Sequence, residues 1–149
     1  MKVSQRATYG IMAAIDLAMN GKEAPVQARA IARRQAIPIR FLEQVLHSMK
    51  KAGLVESLRG AQGGYMLLKE PSALSVADIL EVLDGPVFHR VVQSDQPFSR
   101  HLPKQELLLG QVWKQVAQAE HEVLNRVTID ELAGRQRAIE ERRNPMYHI

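Results

Sequence analysis

The 149-residue sequence contains no cysteine. That absence excludes disulfides, thiolate-ligated zinc, cysteine-bound iron–sulfur clusters and thiol redox sensing within this chain. No stretch approaches the roughly 18 uncharged apolar residues that span a bilayer, and the start, MKVSQRATYG, carries no signal-like apolar run. A cytoplasmic protein that does not engage membranes is therefore expected. No internal repeat is present, and GxSxG, HExxH, phosphate-loop and dinucleotide fingerprints are all missing. With no cysteine nucleophile and no carboxylate pair that spacing alone would place in a cleft, an enzyme is not expected.

What is present is ordinary globular composition, 46% apolar and 24% charged, in a chain long enough for one domain with an appended helical element. The charge is unevenly spread. Residues 1–70 hold eleven Lys/Arg against five Asp/Glu, whereas residues 71–149 hold nine against eleven, so the net +4 arises from +6 and −2. A basic N-terminal half points to an anionic partner such as nucleic acid, although solvated charge alone produces the same imbalance.

Apolar residues on most faces of SQRATYGIMAAIDLAMN, Ser4 to Asn20, predict a largely buried first helix stopped at Gly21. VQARAIARRQ predicts a short second helix with Arg29, Arg33 and Arg34 outward, and Pro38 suits the first position of a third, PIRFLEQVLHSMKKA. There, Leu42, Val45, Leu46 and Met49 form a core stripe and leave Arg40, Gln44, His47 and Lys51 on the opposite side. Leu54 to Ser57 and Tyr65 to Leu68 read as two strands joined by LRGAQGG. Ser75 with Asp78 caps a fourth helix, SVADILEVLDG. Residues 87–104 have two prolines and no period, and read as a loop. From Gln105 to Val127 a long helix places Leu109, Val112, Val116, Ala119 and Val123 in a seam that needs a partner helix, with Trp113, Ala117 and Leu124 widening it. Thr128 to Glu131 is a capping box for a charged last helix ending at Asn144-Pro145.

The glycine-rich bend at Arg59 admits three readings. A phosphate loop fails, because GAQGG lacks the GxxxxGK[ST] spacing and precedes a strand instead of a helix. A plain hairpin relieving backbone strain remains open. So does a DNA-binding wing: two basic helices, a tight turn and an immediate hairpin form the layout of a winged helix-turn-helix.

On TYGIMAAIDLA, on FLEQ followed by GLVxSxRGxxGGYxL, on Trp113 within the long helix and on the closing TIDEL, the chain resembles, nearly end to end, the Rrf-two type of bacterial winged-helix transcription regulators, which includes IscR, NsrR and CymR. The resemblance implies a mainly α fold with a small β-hairpin wing: a DNA-binding domain over 1–86, a sensor-type loop over 87–104 and a helical dimerisation region over 105–149. It implies a homodimer, repressing as a habit of the family, that sets one helix in a major groove and one wing in a minor groove of a near-palindromic operator. Base-reading positions fall on Arg40, Phe41, Glu43 and Gln44, and the wing arginine on Arg59 followed by Gly60. Glu43 reads equally as an i, i+4 partner of His47. Ser4, Gln5, Arg6, Tyr9, Lys50 and Lys51 read as phosphate contacts or solvated polar groups, and Trp113 as a dimer-core or packing residue rather than a ligand-stacking one.

Two departures stand out. Cluster-bearing relatives place three cysteines and one further ligand ahead of or within the long helix, and here those positions hold approximately Asp95, His101, Leu107 and Gly110, none a thiolate. His89, Asp95 and His101 could in principle form an oxygen/nitrogen metal site, but histidines in an irregular polar loop are more often solvated, so no metal or cofactor is assigned. Ala36 stands where glycine is usual in the helix-to-helix turn. A positive φ there would cost on the order of 1 kcal/mol. The alternative function is a winged-helix adaptor for a partner protein, distinguished by an apolar exposed face where DNA binding requires a basic one. The candidate signals are a small ligand where the DNA-binding part meets the long helix, a partner protein, an oxygen/nitrogen-ligated metal, or none at all.

Overall fold

In the computed structural model, which describes residues 1–86 and 104–144, helices α1 (Gln5–Asn20), α2 (Ala28–Gln35) and α3 (Ile39–Lys51) precede an antiparallel hairpin of β1 (Val55–Leu58) and β2 (Gly64–Leu67). A 3-10 turn at Pro71–Ala73 leads to α4 (Val76–Asp84), followed by α5 (Lys104–Arg126) and α6 (Ile129–Arg143). The chain is thus mainly α with one small hairpin, in the expected order. No helix among the described residues is long and apolar enough to cross a membrane.

Caps explain most helix starts. The Ser4 hydroxyl accepts from the Ala7 N–H at 3.0 Å, and the Ser75–Asp78 box closes in both directions at 3.1 and 2.9 Å. At α6 the Thr128 hydroxyl accepts from the Glu131 N–H at 3.2 Å, but the Glu131 carboxylate is taken by Arg135 one turn on, at 2.5 Å. Several boundaries differ from expectation by a residue or two. Pro38 is the N-cap of α3 and not its first helical residue. The second helix starts at Ala28 because Val26 is drawn into a bridge with Tyr65, sealed by two backbone hydrogen bonds of 3.0 and 2.8 Å. Both strands lie one residue nearer the turn than expected, with Leu58 opposite Gly64. The expected loop at 87–104 falls almost wholly outside the described residues.

Leu42, Leu46 and Met49 of α3 are fully buried against Ala13, Ala14 and Leu17 of α1 and Ile31 of α2. Ile129 and Ala133 of α6 enter the same core, so the last helix folds back onto the N-terminal unit. Two backbone bonds pin its approach, Val76 N–H to Val127 at 2.9 Å and Ile129 N–H to Leu74 at 2.8 Å.

Among the described residues the one buried charge is Asp16, 1% exposed on α1. Arg34 donates Nε and Nη2 to its two carboxylate oxygens at 2.9 and 2.7 Å, and Gln35 donates at 2.9 Å. Burial pushes the carboxyl up, but hydrogen bonds from Arg34 and Gln35, the charge of Arg34 and a bond from Asn20 together outweigh it and hold the group below the ordinary carboxylate range. The arginine that the sequence places outward on α2 is thereby committed to joining α1 and α2. Ala36, the C-cap of α2, adopts φ 53° and ψ 43°, the left-handed conformation that makes alanine the costly residue there.

Arg34→Met should lower unfolding stability by about 2–3 kcal/mol, less than a fully buried pair would lose, because Arg34 itself is partly solvated and Asp16 keeps Gln35 and Asn20. Since the folded carboxyl titrates below the unfolded one, the stabilisation is complete above the ordinary aspartate range and disappears as pH falls through the lowered value. Denaturant titrations of both proteins across acidic pH should therefore converge. Ala36→Gly should raise stability by about 0.5–1 kcal/mol, a rise of roughly 1–4 °C in Tm. An unchanged or lowered Tm would remove strain from the account of this turn.

Candidate nucleic-acid interface

Amphipathic spacing and packing determine what α3 shows to solvent. With Leu42, Val45, Leu46 and Met49 at 0–1% exposure, the helix cannot rotate without exposing its core side. Arg40, Glu43, Gln44 and His47 are consequently exposed. They share one open surface with Arg6 of α1 and Ser48. Neither Glu43 nor His47 takes part in an ion pair among the described residues, so the carboxylate is not consumed by the i, i+4 partnership.

Helix α1 braces this surface. Arg6 hydrogen-bonds the Ser48 hydroxyl through Nη2, while its buried Nε has no partner. Tyr9 packs edge-on against Phe41, with ring centroids 5.3 Å apart and planes at 84°, which leaves the Phe41 ring 37% exposed beside the polar group. Ser4 lies further back. Its hydroxyl caps α1 and also donates to Asp84 at the end of α4, and its backbone N–H reaches the same carboxylate at 3.1 Å.

The hairpin projects Arg59 and Gly60, both exposed, and Gly60 adopts φ +105° to make the bend. The root of the hairpin is held firmly. A Cβ on Gly64 would sit 2.5 Å from the Val26 carbonyl, so the Val26–Tyr65 bridge needs glycine at that position. Lys50 donates to the Ser57 hydroxyl at 2.6 Å, tying the end of α3 to β1, whereas Lys51 remains exposed.

The structure therefore brings Arg6, Arg40, Glu43 and Gln44 together, with Phe41 and Tyr9 alongside and Arg59 and Gly60 on a separate projection. Sequence reading left Ser48 out of the group. Its signal was only its place one helical turn beyond Gln44, and what recruits it is Arg6 from another helix.

On α5, only Ala117 is buried. Leu109, Val112, Trp113, Val116 and Val123 are each about half exposed, Trp113 at 47%, and Ala119 is exposed too. Among the described residues Trp113 is thus only about half covered. It lines an open apolar groove with Val116, Ala119 and Val123, beside Met1. His89, Asp95 and His101 lie outside the described residues, among which no group of three or more His, Asp or Glu could hold a metal ion.

Three packed helices, the third offering an uncommitted polar face and leading into a glycine-tipped hairpin, define a winged helix-turn-helix protein of the DNA-binding class. A family model described as "Rrf2: Iron-dependent Transcriptional regulator" matches residues 3–135, and the chain belongs to that family. It is 36% identical over 135 residues to the HTH-type transcriptional regulator CymR of Bacillus subtilis, covering 90% of this chain and 91% of that protein. It is 30% identical over 140 residues to the regulator IscR of Yersinia enterocolitica, covering 94% and 84%. The solved structure of T. potens IscR superposes with a TM-score of 0.72 at 36% identity, covering 91% of this chain and 88% of the other, and CymR of B. subtilis with 0.70 at 33%, covering 90% and 97%. The chain is accordingly a DNA-binding transcriptional regulator and not an enzyme.

Proposed function

We propose that this regulator is a homodimeric, sequence-specific repressor that binds a near-palindromic operator in the cytoplasm without a cysteine-ligated iron–sulfur cluster. The observation that carries it is the solvent-facing cluster of Arg40, Glu43 and Gln44 on a helix whose other side is sealed. Arg40 can pair with a guanine edge, Gln44 with adenine and Glu43 with a cytosine amine, each good contact supplying about 1–3 kcal/mol of discrimination. Phe41 offers its ring to a thymine methyl. Arg59 and Gly60 on the wing would lie against the backbone or minor groove, and Arg6, Lys51 and the Tyr9 hydroxyl are assigned to phosphates. Ser4 acts with them by capping α1. Charge on this face favours DNA over the docking of a partner protein, which an apolar face would serve better.

Half-exposed Leu109, Val112, Trp113, Val116, Ala119 and Val123 on α5 support a seam between two copies. The family description names iron, but the donor set does not suit a thiolate-held cluster. The whole chain lacks cysteine, and the positions that fall on α5, Leu107 and Gly110, carry no donor atom. A partner protein or a small ligand fits the remaining chemistry as a signal.

In a fluorescence-anisotropy titration against the DNA upstream of its own gene, Arg40→Ala and Gln44→Ala should each lose roughly 5- to 150-fold in affinity for the specific duplex and little for random DNA. Lys51→Ala should weaken both alike and flatten the salt dependence by about one unit of slope. No duplex bound more tightly than random DNA at any salt would end the reading. Native mass should be twice the 16.7 kDa of one chain, and Val116→Glu should yield monomers that still melt cooperatively but bind the operator at least tenfold more weakly. A monomeric wild type would exclude the seam.

A further inference from the structure

We infer that the cleft between the C-terminal end of α1, the outgoing end of β2 and the start of α6 binds a small dipolar molecule carrying one ammonium and one carboxylate, the chemistry of a free amino acid. The cleft encloses about 360 Å³, within the range of small-molecule sites. Its lining includes the buried Leu17 and Ala18 and the half-buried Leu67. Around it stand Lys22 and Lys69 against Glu70 and Asp130. All four are exposed, and none joins an ion pair among the described residues.

Two cations and two carboxylates that face one cleft without pairing present both counter-charges to a ligand, while their own sum is zero. A simple anion would meet Glu70 and Asp130, and a simple cation would meet Lys22 and Lys69, so each gains one partner set and opposes the other. An apolar molecule would desolvate four charges and satisfy none. A dipolar ion of zero net charge can satisfy both sets and place its side chain on the apolar lining. The cleft touches Leu67 and Leu68, where the hairpin ends, and Asp130 on the helix that packs back against α1. An occupant would therefore contact the wing strand and α6 together, and its role as an effector rests on the DNA-binding reading above.

Isothermal titration calorimetry of the full chain without DNA, using each of the common amino acids, tests the site independently of that reading. At least one should bind with one molecule per chain, and its carboxamide and its deaminated acid should each bind at least tenfold more weakly. Lys22→Gln and Asp130→Asn should each weaken binding about tenfold while lowering Tm by no more than about 1–4 °C, because neither exposed charge joins an ion pair and Asp130 loses only its place in the first turn of α6. Failure of every amino acid to bind, equal binding of the carboxamide, or indifference to both substitutions would overturn the site. Operator affinity measured with and without the bound amino acid then reads the effector role: a change supports it, and identical affinity overturns it.

Discussion

What α3 can present to a nucleic acid depends on the burial of its opposite side. Four apolar side chains at 0–1% exposure, each worth about 1.5–3 kcal/mol when withdrawn from water, make any other rotation of the helix far more costly than the polar contacts it would gain. The outward face is in that sense a by-product of the inward one. Arg40, Glu43 and Gln44 need no special support to be exposed, because the spacing that buries Leu42 and Leu46 leaves them nowhere else to go.

Positioning of the remaining contacts is a second layer, and it is tertiary. Arg6 and Tyr9 reach the proposed recognition surface from α1, which is itself locked to α2 by Asp16 and Arg34 and to α4 by Ser4 and Asp84. The hairpin is held at its root by the Val26–Tyr65 bridge and by Lys50 on Ser57, and its turn is closed by the Gly63 N–H on the Gly60 carbonyl at 3.0 Å. Ser4 bears on the α3 surface only through α1, since its hydroxyl is already engaged twice.

The long helix poses the opposite case. Among the described residues a helix with one buried residue in 23 gains little stability from packing, and its row of half-exposed valines beside a tryptophan supports the proposed seam. The last helix, α6, packs on α1. In the proposed dimer a second copy of α5 would present the same stripe to the same stripe, the self-complementarity that a two-fold interface requires.

The order of elements, the rotation of α3, the caps at Ser75 and Thr128 and the family itself were legible in the sequence, because each is written in residues three or four apart or in a contiguous motif. The left-handed Ala36 was legible as a departure from glycine. What sequence could not supply were contacts between residues far apart in the chain. Nothing local reveals that the lone carboxylate of AAIDLAM would claim Arg34, that Val26 would leave a helix for a strand partner 39 positions away, or that Lys22 and Asp130 would line one cleft. By itself the sequence determined periodicity, charge asymmetry and the exclusion of thiolate chemistry, since these depend only on which residues are present and how they are spaced. The tertiary structure alone decided which charges are spent inside the fold and which remain for a partner, because that choice follows from burial, and burial is a property of the packed whole.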